Sequence, residues 1–175
     1  MKSIVGLIVI SCVLVTTGCV GIAINGSTMA LKSLPRAELE AIAETGDADA
    51  QYELGLSHCC MGVGFSTQTA TEWLCKAAAQ NQVDAMYELG RIYLGEISRT
   101  PAPFQKVAQA AMAQESLPHA YVWFNKALEF GHAGSRDKLD SIVQDIDPEE
   151  LEAANTYFEN DSEMACIYDE VFTSA

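Results

Sequence analysis

One hexapeptide occurs twice in the chain, 35 residues apart. Residues 50–55 read AQYELG and residues 85–90 read AMYELG. A tryptophan segment follows each copy, WLCKAA from Trp73 and WFNKAL from Trp123. A period of about 34 residues, with small and aromatic side chains at fixed positions, is typical of helix–turn–helix repeats. Such units bury their apolar faces only by stacking on one another, so the sequence predicts an all-α array.

Composition and charge narrow the possible partners. Apolar residues make up 49% of the 175-residue chain and charged residues 19%, which excludes general disorder. The formal net charge is −14, and residues 139–175 hold eleven acidic side chains and no Lys or Arg. Because no basic stripe exists, nucleic acid and anionic lipid surfaces are excluded as partner classes.

The N-terminus has the layout of a secretory signal peptide. A short positive region, residues 1–3, precedes an apolar run over residues 4–15. The run leads into LVTTGC, which resembles the lipobox of bacterial lipoproteins. The resemblance implies that residues 1–18 are removed and that Cys19 carries lipid. Because Val20 rather than Asp follows, it also implies an outer-membrane lipoprotein facing the periplasm.

A spanning anchor is the alternative interpretation of this segment. No charged residue lies between Lys2 and Lys32, so a membrane helix of about 20 residues also fits there. Gly18 and Gly21 interrupt the stretch and disfavour it. Either anchor places the following domain outside the cytoplasm. The spanning anchor would attach a periplasmic domain to the inner membrane.

Composition divides the rest of the chain into a tether, a repeat domain and a tail. Residues 19–33 contain Gly and Ser without periodicity and are interpreted as a tether. Residues 34–158 form the predicted repeat domain, which begins with a short capping helix between Pro35 and Gly46. Residues 159–175 follow as an acidic C-terminal tail.

Helix pairs are predicted within the repeat domain. The first repeat pairs a helix over residues 48–60 with a helix over residues 67–80. Gly55 lies in mid-helix, where glycine costs about 1 kcal/mol relative to alanine. Its recurrence at Gly90 predicts a close helix contact that a side chain would block.

These residues resemble the Sel-one-like repeat, a relative of the tetratricopeptide repeat, over residues 35–158. A turn residue, Asn81 or Gly131, follows each tryptophan by eight positions. The resemblance implies a right-handed α-solenoid of two full repeats plus capping helices; His58 and Leu128 depart from the pattern. The repeat-defining positions are Ala50, Leu54, Gly55, Ala70, Trp73 and Ala77 in the first copy, and Ala85, Leu89, Gly90, Ala120, Trp123 and Ala127 in the second.

The second repeat contains an insertion. Gly55 to Ala70 spans 15 residues, whereas Gly90 to Ala120 spans 30, so fifteen extra residues lie within the segment 96–117. They form either an extra helix that packs on its neighbours or a protrusion that binds a partner, since insertions in repeat arrays lie on one face.

No residue pattern indicates catalysis, a metal or a cofactor. The histidines His58, His119 and His132 lie in unrelated parts of the chain, without a partner at catalytic spacing. The run of one histidine and two cysteines at residues 58–60, together with Cys75, suggests zinc. Consecutive helical side chains point about 100° apart, however, and rarely converge on one ion. We therefore expect no catalytic residue, no metal and no cofactor.

Surface recognition remains as the predicted function. Transferring the groove of tetratricopeptide repeats onto the first helices places six residues on the concave side. They are Tyr52, Leu56, Cys59, Tyr87, Arg91 and Leu94. Tyrosine and arginine commonly anchor interfaces, and Arg91 would meet a carboxylate; for Tyr52 and Tyr87, packing between repeats is the alternative.

The predicted protein is thus a monomeric, non-enzymatic protein–protein interaction module. By resemblance it is an envelope scaffold or regulator that binds a protein or peptide. One alternative is a small envelope hydrolase, which requires His58 or His119 beside a Ser or Cys at hydrogen-bond distance. The other is a purely structural spacer lipoprotein.

Four cysteines remain in the exported domain, and an oxidising compartment favours their pairing. A bridge from Cys60 to Cys75 looks poor, because the two residues would lie about 10 Å apart along an antiparallel helix pair. We predict that Cys166 bonds Cys59 or Cys60 and that Cys75 remains a thiol. Four free, packed thiols are the alternative.

Overall fold

The computed structural model describes residues 27–59, 66–96 and 115–159. Within these ranges the chain forms eight α-helices and no strand, which confirms the all-α prediction. The helices are α1 Ser27–Leu31, α2 Arg36–Ala43, α3 Ala48–His58, α4 Thr67–Ala78, α5 Val83–Tyr93, α6 Leu117–Glu129, α7 Ser135–Asp145 and α8 Pro148–Glu159. Cys19, residues 97–114 of the insertion and the tail after residue 159 lie outside the described residues.

Side-chain caps fix where the first helix of each repeat begins. Asp47 precedes α3, and its Oδ1 accepts a hydrogen bond from the Ala50 N–H at 2.8 Å. Gln82, 35 residues later, precedes α5, and its Oε1 accepts from the Ala85 N–H at 2.9 Å. Each acceptor satisfies one of the N–H groups that a helix start leaves unpaired. Both copies of the hexapeptide therefore enter their helices in the same way.

The second helix of each repeat also ends in the same way. Asn81 follows α4 with a φ of 63°, and Gly131 follows α6 with a φ of 99°. The N–H of the next residue reaches back to a helix carbonyl, at 3.1 Å after Asn81 and at 2.8 Å after Gly131. This left-handed helix end favours glycine and accepts asparagine. Both predicted turn residues are therefore confirmed.

A glycine in the middle of the first helix lets the second helix of the repeat come close. A Cβ atom on Gly55 would lie 2.8 Å from Cγ of Leu74, and a Cβ atom on Gly90 would lie 2.8 Å from two ring carbons of Phe124. Leu74 and Phe124 occupy the same repeat position, directly after the tryptophan. The predicted close helix contact is confirmed at both glycines.

From α2 to α7, each helix packs against the next one along the chain. The repeat-defining side chains supply much of the core between these helices. Ala50, Leu54, Ala70, Ala77, Ala85, Leu89, Ala120, Trp123 and Ala127 are buried, and Trp73 is half-buried against the N-terminal part of the core. The recurring sequence positions are therefore the positions at which neighbouring helices meet.

The third unit departs from the first two. In the second repeat, α5 buries Met86, Gly90 and Tyr93. The corresponding positions on α7, 50 residues later, are Arg136, Asp140 and Val143, and all three are exposed. The last helix packs on α6 instead, where the Tyr121 hydroxyl donates to Asn155 Oδ1 at 3.0 Å. Two of the three exposed residues on α7 are charged, and a largely polar outer face is typical of the end of a repeat array.

The helical core extends further toward the N-terminus than the predicted boundary at residue 34. Helix α1 lies in the predicted tether, and Leu31 is buried in a cluster with Leu39, Ala43 and Leu54. None of the helices in the described part of the chain combines the length and the apolar character that a bilayer span needs.

Candidate partner-binding surface

The six predicted groove residues lie on α3, on α5 and just after these helices. They are Tyr52, Leu56, Cys59, Tyr87, Arg91 and Leu94. Leu56 and Cys59 are buried, whereas the other four are partly exposed. Tyr52, Tyr87 and Leu94 pack with one side against the core. A partner on this face would therefore meet Tyr52 and the α5 residues rather than Leu56 or Cys59.

Tyr87 has a structural role in the second repeat. Its ring stacks on His132 with a centroid distance of 4.0 Å and an interplanar angle of 24°. It also meets the Phe124 ring edge-on at 5.4 Å. Paired aromatic rings add about 0.5–1.5 kcal/mol beyond the area they bury. These contacts support the alternative given for Tyr87, which is packing between repeats.

Arg91 is held by acids of its own chain. Its Nη1 lies 3.1 Å from Glu88 Oε1 and its Nε lies 3.1 Å from Glu96 Oε2. Lys138 of α7 pairs with the other oxygen of Glu96. Burial works to lower the pKa of Arg91, but the carboxylates of Glu88 and Glu96 together raise it. A partner carboxylate at Arg91 must therefore compete with two internal ones.

This ion cluster, defined as Glu88, Arg91, Glu96 and Lys138, joins α5 to α7. Its two cations balance its two anions. Of the four residues, only Arg91 was expected at the surface from the sequence. The spacing of Glu88 three residues before Arg91 was the available signal, whereas nothing local links Lys138 to Glu96.

A polar contact recurs where one repeat meets the next. The Gln82 side-chain amide donates to Asp49 Oδ1 at 3.3 Å. At the same repeat positions, His132 Nε2 lies 3.9 Å from Asp84 Oδ1. Asp49 and Asp84 each precede a copy of the hexapeptide, and that shared aspartate is the sequence signal that could have predicted the contact.

One histidine meets the distance that the hydrolase alternative requires. His119 Nδ1 lies 2.7 Å from Ser116 Oγ. The first repeat has the same contact at the same place, because Thr69 Oγ1 donates to Ser66 Oγ at 3.0 Å, 50 residues earlier. Ser66 and Ser116 both precede the second helix of their repeat. The Ser116–His119 pair therefore lies at a repeat position where the first repeat forms a side-chain contact without a histidine. The two helix starts still differ, because Ser66 caps α4 by accepting from the Thr69 N–H, whereas Ser116 makes no side-chain cap hydrogen bond.

Burial lowers the pKa of His119, and its ring stacks on Tyr93 at 5.3 Å. The pKa of His58 is also lowered, first by burial and then by the nearby Arg36, against a smaller opposing effect of Glu40. Arg36 itself donates to the Ser57 carbonyl at 2.6 Å and so caps the end of α3. Among the described residues, no three His, Cys, Asp or Glu side chains are placed to hold a metal ion.

The insertion leaves and re-enters the second repeat through a closed stem. The Ser116 N–H donates to the Tyr93 carbonyl at 2.7 Å. In the first repeat the Ser66 N–H donates to the His58 carbonyl at 2.9 Å. The enclosed loops hold 115 − 93 = 22 and 65 − 58 = 7 residues, which differ by the predicted fifteen. Arg91 and Leu94 therefore lie at the base of the insertion.

Cys59 and Cys75 are both disulfide-bonded. The prediction that Cys75 remains a thiol is therefore wrong, as is the alternative of four free thiols. Cys60 and Cys166 lie outside the described residues, so the predicted bond from Cys166 to Cys59 or Cys60 stays a prediction.

The chain was also compared with known proteins. No protein-family model, no curated protein and no solved structure matches it. The likeness to Sel-one-like repeats therefore rests on the residues of the chain.

Proposed function

We propose that this chain is a non-enzymatic protein–protein interaction module, anchored in the bacterial outer membrane by lipid at Cys19 and facing the periplasm. In this proposal the helix pairs form a right-handed solenoid of Sel-one-like type, and the protein acts as an envelope scaffold or regulator. Its partner is a protein or peptide, and the module is a monomer.

The observation that carries this proposal is the repetition of packing contacts. Gly55 against Leu74 recurs as Gly90 against Phe124, and caps, turns and loop stems recur with them. Stacked units of this kind present extended surfaces, and function lies on those surfaces rather than in a pocket of catalytic groups.

The base of the insertion is the best-supported contact surface. Arg91, Leu94 and Glu96 lie there together and are each partly exposed. An arginine beside a half-buried leucine is a composition common at interface centres. The extra residues of the insertion emerge at this point, and insertions in repeat arrays often carry binding.

A crosslinking pulldown from native membranes tests the proposal. We expect the anchored chain to capture one protein reproducibly, and Arg91→Ala to reduce the capture at least tenfold. Asp140→Ala on the exposed face of α7 serves as the matched control and should leave the capture unchanged. Both variants should keep the helical circular dichroism of the parent. Loss of capture in both variants, or in neither, would contradict a binding surface at Arg91.

The anchor is tested separately by the intact mass of the membrane-extracted protein. A mature chain that begins at Cys19 and carries acyl and diacylglyceryl groups is expected. A mass that retains residues 1–18 would instead favour the spanning anchor and an inner-membrane position.

The hydrolase alternative has one specific observation in its favour, the 2.7 Å contact between Ser116 and His119. A serine-reactive fluorophosphonate probe distinguishes it from the proposal. We expect no labelling at Ser116, because the equivalent Ser66 and Thr69 form a side-chain contact at the same repeat position without a base. Labelling that disappears in Ser116→Ala would establish the enzyme instead.

A further inference from the structure

Helix α1 is fixed to the core of the domain. Leu31, its last residue, is buried in a cluster with Leu39 and Leu54. Directly after the helix, Lys32 Nζ lies 3.6 Å from Oε1 of Glu53, a carboxylate of α3 that is itself buried. An apolar contact and an ion pair thus hold α1 on α3. The folded domain therefore extends to the first residue of α1, at position 27.

The place of α1 limits how far the domain can lie from the proposed anchor. Ser27, the first residue of α1, lies 27 − 19 = 8 positions after Cys19. A chain spans at most about 3.5 Å per residue, so α1 begins within about 28 Å of Cys19. A tether that ran to residue 33, as the sequence predicted, would allow about 50 Å. The docking of α1 thus keeps the domain close to any lipid at Cys19.

The outward side of α1 presents an apolar side chain. Met29 is 84% exposed and is the most exposed large apolar residue in the described part of the chain. It precedes the buried Leu31 by two positions, which places it on the opposite side of the helix. One exposed methionine is common on a protein surface and is not a site by itself. Beside a lipid anchor, however, an apolar side chain can enter the boundary between headgroups and acyl chains.

Charge favours the same end of the domain. Residues 20–37 contain Lys32 and Arg36 and no acidic side chain. Residues 139–159, which form most of α7 and all of α8, contain seven acidic side chains and no Lys or Arg. Headgroup phosphates repel carboxylates, so the α1 end fits against a bilayer better than the α7–α8 end. Two cations are not a basic stripe, so the fit does not require anionic lipid.

We propose that the short tether holds Met29 against the bilayer that carries the Cys19 lipid, so that the α1 end of the domain faces the membrane. This inference rests on the proposed lipid anchor. The occupant of the Met29 surface is the headgroup region of phospholipid. A single side chain binds a bilayer weakly on its own. The anchor makes the contact intramolecular, at an effective concentration that the tether length sets.

Photo-crosslinking of the full, anchored chain in phosphatidylcholine vesicles tests the contact. A photoreactive residue replaces Met29 or, in the matched control, Tyr157 of α8, which is 60% exposed. Both positions are exposed, so both labelled chains should keep the fold. We expect phospholipid adducts from position 29 at a yield roughly tenfold above that from position 157. Equal yields, or no adduct from position 29, would overturn the proposal.

A longer tether tests the reason for the contact. Fifteen Gly and Ser residues inserted after Val20 increase the separation of Cys19 and Ser27 from 8 to 8 + 15 = 23 positions. The effective concentration falls roughly as the −3/2 power of tether length, so we expect the adduct yield from position 29 to fall about fivefold. An unchanged yield would overturn the proposal that the short tether holds Met29 at the bilayer.

The intact mass of the same preparation reports the anchor separately. Absence of the adduct from a chain that begins at a lipid-bearing Cys19 would refute the membrane contact alone. An adduct from position 29 in a chain that retains residues 1–18 would refute the lipid anchor alone. The two failures are therefore distinguishable.

Discussion

Gly90 and Phe124 share one space between α5 and α6. Phe124 is fully buried, and its ring lies 2.8 Å from where a Cβ on Gly90 would stand. Because the ring has no room to move away, we expect Gly90→Leu to lower the free energy of unfolding by about 1–3 kcal/mol. Asp140→Leu is the control, since Asp140 holds the same repeat position on α7 and is exposed. It should change stability by less than about 0.5 kcal/mol.

Urea unfolding of the parent and both variants measures this difference. Equal midpoints for Gly90→Leu and Asp140→Leu would show that Gly90 does not mark a close helix crossing. The comparison is informative because both substitutions introduce the same side chain into a helix at the same repeat position.

His119 makes stability depend on pH. Burial lowers its pKa below the ordinary 6.5, so it is neutral in the folded state near pH 7. As the pH falls through about 6.5, the unfolded chain takes up a proton that folded His119 resists. The contribution of neutral His119 to stability is therefore complete above that pH and decreases below it.

His119→Gln removes this titration. The stability difference between parent and variant should be largest near pH 7.5 and should shrink toward pH 5, as followed by urea unfolding across that range. His58→Gln should show the same trend, because burial and Arg36 lower the pKa of His58. A stability difference between parent and variant that stays constant with pH would refute a lowered pKa for the replaced histidine.

At the scale of elements, the loop stem makes a deletion of the insertion possible. Both loop stems close with the same backbone hydrogen bond, so deleting residues 99–113 restores the loop length of the first repeat. Shortening a loop from 22 to 7 residues gains about 1 kcal/mol of closure entropy. If the insertion is a protrusion, we expect the deletion variant to be as stable as the parent or slightly more stable.

Thermal unfolding of three chains decides this point: the parent, the deletion variant, and a control with residues 99–113 replaced by fifteen Gly and Ser residues. A large loss of thermal stability in both variants would show that the insertion is a helix packed against the core. The control separates the effect of loop length from the effect of lost packing.

Local signals made most elements predictable. The predicted helices 48–60 and 67–80 appear as Ala48–His58 and Thr67–Ala78, because caps and turn residues lie close to the helix ends in sequence. The docking of α8 on α6 and the Lys138–Glu96 pair join residues far apart in the chain. No periodicity encodes such contacts, so they were not predictable.

The candidate surface was predictable only in part. Arg91 and Leu94 lie at the end of α5 and are partly exposed, and their position on a concave, partner-binding side stays a prediction. Their neighbours were not foreseen, because Glu96 reaches Arg91 through the turn after the helix. The oxidation of Cys75 was also missed. Spacing along the chain does not reveal which cysteine is its partner.

At the scale of the whole molecule, the predicted bond from Cys166 to Cys59 or Cys60 would close a large loop. It would join residues that are 166 − 59 = 107 or 166 − 60 = 106 positions apart. Native disulfides commonly stabilise by about 2–4 kcal/mol, and more for longer loops. We expect Cys166→Ser to lower the free energy of unfolding by about that amount under oxidising conditions.

The same comparison under a strong reductant is the control, since parent and variant should then unfold together. Ser162→Ala, a neighbouring change in the tail, should have no effect in either condition. Equal stability of Cys166→Ser and the parent under oxidising conditions would contradict the link.

Site-specific photo-crosslinking in native membranes tests the binding-module interpretation most directly. A photoreactive residue replaces Leu94 at the base of the insertion or, in the control, Val143 on α7. Val143 is 49% exposed, so nonspecific capture would favour the control position. We expect one discrete adduct from position 94 and none from position 143. Equal adducts from both positions, or adducts from position 143 alone, would contradict a partner at the base of the insertion.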